Sequence, residues 1–345
     1  MAARGRRTSW PIFVGFHGVK KTQCVVVGVG HLGKHHARIL ASMPEASLAA
    51  VVDPSRERGE SVAAEYSTTY VSDVTELGGQ VDAAVIAAPT SEHFRLACHF
   101  IERGVPVLVE KPMTSTLEEA DGLLALARAK GVALQVGHIE RFNPAVLAVK
   151  QYLKQPRYIE CDRIAPFGFR SLDIGVVLDL MIHDLDMVIS LADSEIEQID
   201  AIGVPVISRH EDVANARIRF ANGCIANLTA SRVASRRERK MRIFQADAYF
   251  SLDYEAREAK IYRKAAGFAA PEQIDLSHVE DPKALAQKML TVEVVAMNDQ
   301  EPLRNELEAF VRCVRGGDTP EVTGEDGRKA IAAAVEIVRQ IQHHS

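Results

Sequence analysis

Hydrophobic residues in the first part of the chain form short uninterrupted runs that alternate with amphipathic helical patterns. Runs that are apolar throughout are typical of strands buried on both faces, as in a parallel sheet. We therefore predict an α/β Rossmann-type domain, a doubly wound parallel sheet with helices on both faces. The predicted strands span 24–29, 49–52, 81–88, 107–109 and 133–137, and the predicted helices span 34–43, 56–66, 92–103 and 117–130.

After Pro144 the pattern changes to two helices followed by several strand-like runs. The dipeptide Asn222-Gly223 between two of these runs predicts a β-hairpin. This half of the chain is predicted to be an α+β domain with a largely antiparallel sheet. Its predicted helices span 145–153, 173–191, 302–315 and 325–342, its strands span 197–206, 215–220, 225–231, 241–245, 249–254 and 260–263, and a loop or short helix is expected at 266–289.

Composition narrows the class of protein. With 47% hydrophobic and 25% charged residues, the 345-residue chain is typical of a globular protein of two domains. A formal net charge of −5 does not suggest a nucleic-acid binder. No apolar run approaches the roughly 20 residues that a membrane span needs. Five scattered cysteines without a Cys-x-x-Cys pair indicate reduced thiols in the cytoplasm.

The amino terminus carries three arginines, the last of them Arg7, before the apolar stretch 10–14. A secretory signal peptide begins in this way, but here the stretch is short and contains Pro11. We therefore expect residues 1–21 to form a loose arm ahead of the first domain.

A glycine-rich motif, Gly-x-Gly-x-x-Gly at 28–33, follows the first predicted strand and opens the first predicted helix. In a dinucleotide-binding domain, Gly28 permits the tight turn, Gly30 lets the backbone approach the pyrophosphate, and Gly33 allows close helix–strand packing. The motif predicts that these glycines, with His31 and Leu32, bind the pyrophosphate of a dinucleotide cofactor.

Asp53 ends the second predicted strand, about 20 residues after the glycines, as this fingerprint requires. Its carboxylate is expected to accept hydrogen bonds from the adenosine ribose, and its charge would repel a 2′-phosphate. We therefore predict NAD rather than NADP as the cofactor, a preference that Arg56 and Arg58 could weaken. The alternative is that Asp53 caps a helix before Pro54.

Lys111 follows the predicted strand 107–109. Ligands of parallel sheets bind at the carboxyl ends of the strands, so Lys111 is expected near the nicotinamide. The positive nicotinamide ring disfavours a protonated lysine, which suits Lys111 for acid–base chemistry. A cis peptide bond between Lys111 and Pro112 would change the direction of the backbone after this strand. The alternative is an ordinary exposed lysine.

Asp179, His183 and Asp186 are spaced by four and three residues, which predicts one shared face of a helix. A carboxylate one turn from a histidine can orient it and raise its basicity, as a proton acceptor needs. A structural His–Asp pair is the alternative. A metal site is also conceivable, but no further cluster of ligands accompanies these residues, and we predict no metal.

Several motifs in order resemble the Gfo/Idh/MocA family, named for glucose–fructose oxidoreductase, inositol dehydrogenase and rhizopine catabolism. The motifs are Val27-Gly28-Val29-Gly30, Ala88-Pro89-Thr90-Ser91-Glu92-His93, Glu110-Lys111-Pro112, Asp179-x-x-x-His183-x-x-Asp186 and Thr323-Gly324-Glu325-Asp326-Gly327. The resemblance implies a Rossmann domain followed by an open-faced mixed sheet that often makes the oligomer contact. It also implies oxidation or reduction of sugar and cyclitol carbons.

The family pattern also implies roles for individual residues. Lys111, Asp179 and His183 occupy its catalytic positions. The cofactor cleft is lined or shaped by Pro89, Thr90, His93 and Glu110.

Two segments resemble a narrower subgroup that acts on nucleotide sugars and includes UDP-N-acetylglucosamine 3-dehydrogenases, which prepare a 3-amino sugar for lipid A. They are 137–144, Gly-His-Ile-Glu-Arg-Phe-Asn-Pro, and 163–179. At Met181 the chain departs from the glycine that is usual in the family.

The subgroup resemblance implies that Asn143, Arg163, Arg170 and His183 contact the substrate. A guanidinium at 163 or 170 could bind a diphosphate through bidentate hydrogen bonds. The alternative is that both arginines make structural ion pairs. Part of a basic run could serve the same anion, although such runs are usually solvated. The run comprises Arg232, Arg236, Arg237, Arg239, Lys240 and Arg242.

We therefore predict an arm at 1–21, an NAD-binding domain at 22–144, and a substrate-binding and oligomerisation domain at 145–345 whose final helix can return to the first domain. The expected activity is NAD-dependent oxidation of a nucleotide-sugar hydroxyl in a cytoplasmic homodimer or homotetramer, with no nucleic-acid or membrane partner. Alternatives are a free-sugar or inositol dehydrogenase, an NAD-dependent glycosidase, and a non-catalytic NAD-binding regulator. The presence of Lys111 and His183 counts against the regulator.

Overall fold

A computed structural model describes residues 20–168, 174–265, 281 and 288–344. Most of the predicted arm at 1–21, Arg170, the start of the helix predicted at 173–191 and most of the segment 266–289 therefore lie outside the described residues.

The first domain contains a six-stranded sheet in which every neighbouring pair is parallel. The strands lie in the order β3-β2-β1-β4-β5-β6, so the strand order reverses between β1 and β4. The predicted parallel sheet is confirmed. β3 was not predicted, since three half-exposed residues leave no apolar run. The strands are β1 Thr22–Val27, β2 Ala46–Val52, β3 Thr69–Val71, β4 Ala83–Ile86, β5 Val107–Glu110 and β6 Leu134–Gly137.

Four helices cover this sheet, and their limits follow from local capping. The hydroxyl of Thr116 accepts the Glu119 N–H at the start of α4, and Gly131, with φ of +62°, ends that helix in a left-handed conformation. The helices are α1 Gly33–Ser42, α2 Arg56–Tyr66, α3 Thr90–Ile101 and α4 Leu117–Lys130.

The second domain is built on an eight-stranded sheet in the order β14-β13-β12-β11-β7-β10-β9-β8. Only the β7–β10 pair among the described strands of this second sheet is parallel, so the sheet is mixed, as predicted. The hairpin at Asn222-Gly223 is confirmed between β9 and β10. The strands are β7 Tyr158–Ile164, β8 Ile196–Val204, β9 Val213–Phe220, β10 Ile225–Ser231, β11 Glu238–Phe244, β12 Tyr249–Asp253, β13 Glu258–Lys264 and β14 Leu290–Val294.

One face of this sheet is covered by α5 Pro144–Lys150 and α6 Ile182–Ala192, and α6 is preceded by a π-helical turn at Val177–Met181. The last two helices, α7 Pro302–Gly316 and α8 Gly324–His344, return toward the first domain. α7 packs on α1, and α8 lies against β6 and α4 on one side and α6 and β8 on the other. The carboxyl end of the chain therefore joins the two sheets.

None of the helices in the described part of the chain is both long enough and apolar enough to cross a membrane.

Candidate active site

The glycine loop between β1 and α1 has the backbone that the sequence predicts. Gly28 has φ of +83°, and a Cβ there would approach the Ala88 backbone to 2.7 Å. A Cβ at Gly33 would overlap the Gly28 carbonyl, so α1 and β1 approach this closely only because Gly33 is glycine. Gly30 faces open space.

This loop borders a cavity of about 610 Å³ at the β1–β4 switch point. No side chain caps the amino terminus of α1, and the positive end of its helix dipole suits an anion. The open space at Gly30 and this uncapped helix fit the pyrophosphate of a dinucleotide. The cavity lining includes Gly28, Gly30, His31, Leu32, Asp53, Arg58 and Pro89.

Asp53 lies at the end of β2 and is only 2% exposed. Its carboxylate accepts the Val29 N–H at 3.0 Å and the Ser55 N–H at 2.8 Å, which ties it to the glycine loop. Arg58, which also lines the cavity, donates to Asp53 at 2.8 Å. Ser55, not Asp53, caps α2. The guanidinium of Arg58 places a positive charge beside the carboxylate that was predicted to select NAD.

Lys111 follows β5, and its peptide bond to Pro112 is cis. Its Nζ donates to the backbone carbonyl of Asp179 at 2.9 Å, a contact that joins the two domains. Burial lowers the pKa of Lys111, and the negative charges of Asp179 and Glu110 counteract part of this effect. The alternative of an ordinary exposed lysine is wrong, because the side chain is half-buried and held between the domains.

His183 lies in the first turn of α6. Burial, followed by the positive charges of Lys111 and Arg163, holds the pKa of His183 well below its ordinary value. The ring is therefore neutral near pH 7. Its Nδ1 is buried and has no hydrogen-bond partner among the described residues.

Asp179 does not pair with His183 within the described residues, contrary to the helical spacing argument. The residues 177–181 form a π-helical turn, so a spacing of four does not place the two side chains one above the other. Asp179 instead presents its carbonyl to Lys111 and its negative charge to the same ammonium group. It therefore positions Lys111 and does not orient His183.

Asp186 also makes no hydrogen bond with His183 within the described residues. Its carboxylate accepts two hydrogen bonds from Arg141, at 2.6 and 2.7 Å, and only 1% of the residue is exposed. Asp186 therefore attaches α6 to the turn at Ile139–Phe142, while its spacing of three from His183 within α6 keeps the two residues on one side of that helix.

Arg163 occupies a buried site with 2% of its surface exposed. Its guanidinium donates two hydrogen bonds to Asp184, at 2.8 and 2.9 Å, and one to Glu140 at 3.0 Å. These carboxylates already satisfy it, so the alternative of a structural ion pair is right, and binding of a substrate diphosphate by Arg163 is wrong.

Asn143 is likewise structural. Its Oδ1 accepts the Ala145 N–H at 3.0 Å and caps α5, and its amide donates to Glu140 at 3.2 Å. At 4% exposure it does not face the cleft, which corrects the prediction that it contacts substrate.

The family-implied cofactor residues divide into two groups. Pro89 lines the cavity, and Thr90 begins α3 beside it. His93 and Glu110 are buried behind the cleft. The ring of His93 lies between the carbonyls of Ala88 and Pro112, at 2.8 and 2.9 Å. These two residues therefore shape the ends of β4 and β5.

Behind Glu110 lies a buried polar cluster that the sequence did not single out as such. His36 of α1 donates through Nε2 to Glu110 at 2.8 Å. Glu306 of α7 is fully buried and lacks a hydrogen-bond partner among the described residues. Burial, and then the charge of Glu110, raise the pKa of Glu306 well above its ordinary value. Burial therefore favours the protonated form of Glu306.

His138 is a further buried histidine near His183 and Lys111, which the motif 137–144 contained without an assigned role. It is 1% exposed, its Nδ1 has no partner in the described regions, and burial lowers its pKa. Its charge also affects His183. The signal in the sequence was a histidine directly after the strand β6.

Among the described residues, no cluster of three or more His, Cys, Asp or Glu side chains is arranged to hold a metal ion.

Two family models match the chain. One, described as an oxidoreductase family with an NAD-binding Rossmann fold, matches residues 22–138, and the Gfo/Idh/MocA C-terminal domain matches residues 146–250. These two matches follow the division between the two sheets.

Two relatives match nearly the whole chain. UDP-N-acetylglucosamine 3-dehydrogenase from Acidithiobacillus ferrooxidans is 38% identical over 90% of this chain and 95% of its own length. A solved structure of that enzyme has a TM-score of 0.84 and covers 93% of this chain and 97% of its own, at 37% identity. The scyllo-inositol 2-dehydrogenase (NAD(+)) of Bacillus subtilis is 29% identical over 89% of this chain and 90% of its own length.

Proposed function

Because the chain belongs to the Gfo/Idh/MocA family of NAD-binding oxidoreductases, we propose that it oxidises C3 of UDP-N-acetylglucosamine to the 3-keto sugar. The observation that carries the proposal is 38% identity, over 95% of its length, to an enzyme named for that reaction. The inositol dehydrogenase matches over a similar length at 29% identity, so cyclitols are the competing substrate class.

In this proposal the glycine loop, the amino terminus of α1 and Asp53 hold NAD, which supplies the hydride acceptor. His183 is the base that takes the proton of the substrate hydroxyl, since a neutral imidazole has a nitrogen free to accept it. Lys111 donates a hydrogen bond to the same hydroxyl oxygen while Asp179 fixes its position. Burial strengthens these interactions because it removes competing water.

We also propose that residues 22–144 form the cofactor domain and residues 145–345 the substrate and assembly domain. Free cysteines at all five positions fit a cytoplasmic enzyme.

The open face of the second sheet supports a homodimer or homotetramer. This face carries a row of aromatic side chains. Apolar residues are exposed on both edge strands, β8 and β14, and Ile202 of β8 is 61% exposed. Phe244 and Tyr249 stack with centroids 4.7 Å apart, and Tyr249 and Tyr262 stack at 4.8 Å. Exposed apolar patches of this kind mark interfaces.

The test of the activity is NADH formation from a panel of UDP-N-acetylglucosamine, free N-acetylglucosamine and myo-inositol, each with a trap for the keto product. We expect the highest kcat/KM with the UDP-sugar. A higher value with myo-inositol would replace the proposed substrate, and release of free sugar without NADH would indicate an NAD-dependent glycosidase.

A further inference from the structure

Two arginines face each other across neighbouring strands beside the catalytic residues. In the antiparallel register of β7 and β11, Arg239 lies directly opposite Arg163. Met241 and Ile243 of β11 are fully buried, and Arg239 has the same alternation, so it lies on the helix-covered face of the sheet. Both guanidinium groups therefore belong to the side of the sheet that carries α6 and His183.

The two arginines differ in the partners of their side chains. Arg163 is bound by Asp184 and Glu140, whereas the guanidinium of Arg239 has no hydrogen bond or ion pair within residues 20–168, 174–265 and 288–344. The carboxylates that affect Arg239 electrostatically are Glu140 and Glu255. Glu140 is already bonded to Arg163 and Asn143, and Glu255 lies 3.9 Å from Arg237.

The guanidinium of Arg239 lies close enough to the catalytic residues for its charge to lower the pKa of both Lys111 and His183. Burial lowers the pKa of Arg239, and the positive charge of Arg163 adds to this effect. A half-buried cation beside other cations is unfavourable unless an anion binds there.

The rest of the basic run is already neutralised. Arg232 is buried against Asp212 at 2.8 Å. Four members pair with carboxylates: Arg236 and Lys240 with Glu238, Arg237 with Glu255, and Arg242 with Glu160 and Asp162. Within the described residues, Arg239 is therefore the member of the run whose guanidinium remains available to bind an anion.

We propose that Arg239 binds a phosphate of the nucleotide sugar and so determines specificity for a UDP-linked over a free sugar. Guanidinium groups match phosphate oxygens in planar, bidentate geometry. The inference deepens the proposed function and rests on it for the identity of the sugar, but it concerns a different group of the substrate.

The kinetic test is Arg239→Gln. We expect KM for UDP-N-acetylglucosamine to rise by about 10- to 100-fold, the range for one charge-assisted hydrogen bond, with smaller changes in kcat and in KM for NAD. For free N-acetylglucosamine, which lacks phosphate, kcat/KM should match that of the wild type. An equal loss with both substrates would overturn the proposal, because it would place Arg239 on the sugar or the chemistry.

A binding test separates this inference from the proposed reaction. Wild-type protein with NAD should bind UDP in calorimetry, and Arg239→Gln should bind it at least about 10-fold more weakly. UDP binding without turnover of the UDP-sugar would refute only the reaction. Equal binding by variant and wild type, or no binding by either, would refute the role of Arg239.

Arg236→Gln is the matched control, since Arg236 belongs to the same run but its side chain is 77% exposed. It should leave KM and UDP affinity unchanged. Arg239→Lys keeps the positive charge but cannot make two parallel hydrogen bonds to a phosphate, so its KM for UDP-N-acetylglucosamine should be intermediate. This variant replaces Arg239→Gln in both tests if Arg239→Gln does not fold.

Discussion

At the scale of single residues, burial decides which ionisable groups can do chemistry. Lys111 and His183 both hold protons less strongly than free side chains because they are buried near other cations. Arg163, which the sequence equally suggested for the site, is instead neutralised by two buried carboxylates. Sequence motifs identified the positions, but the partners of each charge come from distant segments and could not be deduced from spacing.

The low pKa of His183 predicts the pH dependence of catalysis. Since its pKa lies well below the ordinary 6.5, His183 stays neutral at pH 6.5, and kcat/KM should fall only at more acidic pH. His183→Asn should lower kcat by at least about 100-fold, leave KM for NAD nearly unchanged, and abolish this acidic limb. Steady-state kinetics across pH give the answer. An acidic limb that persists in the variant would assign the base to another group, and Lys111→Ala would then be the next measurement.

We expect the choice between NAD and NADP to depend on the Asp53–Arg58 pair. Asp53→Asn removes the charge that repels a 2′-phosphate but keeps an oxygen that can accept the Val29 N–H. Arg58 is then free to attract the phosphate. The ratio of kcat/KM for NAD over NADP should fall by about 10-fold, or ~1.4 kcal/mol. A wild-type enzyme that already prefers NADP, or a variant with an unchanged ratio, would contradict this account.

Glu306 gives a prediction about stability. Its pKa is raised in the folded protein, so the folded state holds a proton that the unfolded chain releases above about pH 4.5. The free energy of unfolding therefore falls as pH rises above about 4.5, by about 1.4 kcal/mol per pH unit. This decrease ends at the pKa that Glu306 has in the folded protein. Glu306→Gln should stabilise the protein in urea at pH 8 and have little effect near pH 4.5. Equal effects at both pH values would mean that Glu306 is ionised in the folded state.

At the scale of elements, the π-helical turn before α6 is the feature that sequence periodicity could not provide. A regular helix predicts that Asp179 lies over His183, and the wider turn separates them. β7 was also not predicted from the sequence. Its buried residues are Ile159, Cys161 and Arg163, and the charged Arg163 interrupts the alternation of apolar and polar residues. Most of the Rossmann strands were predicted because they contain short apolar runs, such as Val107–Val109 in β5 and Ala83–Ile86 in β4.

The start of this turn is held by Glu211, whose Oε1 accepts the Val177 N–H at 3.3 Å. A Cβ at Gly175 would overlap the Glu211 carboxylate. Gly175→Ala should therefore displace the turn that positions Asp179 and Lys111. We expect a loss of about 1–3 kcal/mol in unfolding free energy and a lower kcat, with KM for NAD unchanged.

Gly78→Ala is the control for that experiment, because a Cβ at Gly78 meets nothing within 4 Å. A Gly175→Ala variant with wild-type kcat and stability would show that Glu211 does not need the space that glycine leaves.

At the scale of the whole molecule, α8 connects the two sheets and α7 packs on the first domain, and the described residues leave the other face of the second sheet uncovered. A domain order could be predicted from the sequence, but the return of both carboxyl-terminal helices depends on contacts between segments far apart in the chain. The uncovered face, with Ile202, Phe244 and Tyr249, is the surface that assembly would bury.

Assembly through this face predicts a dimer or tetramer by light scattering at micromolar concentration. The double substitution Ile202→Lys with Val204→Lys places two charges on the edge strand β8, where the native side chains are 61% and 50% exposed. It should shift the enzyme toward a smaller species. A wild-type monomer would contradict the proposed interface, and an unchanged mass in the variant would place the contact elsewhere.

The most direct test of the central claim uses UDP-N-acetylglucosamine that carries deuterium at C3. If this enzyme oxidises C3, the deuterium passes to the cofactor, and mass spectrometry should find it in the reduced NAD in a one-to-one ratio with the keto sugar. Reduced NAD without deuterium would show that another carbon reacts. No reduced NAD, from an enzyme that does reduce NAD with myo-inositol, would contradict the proposed substrate altogether.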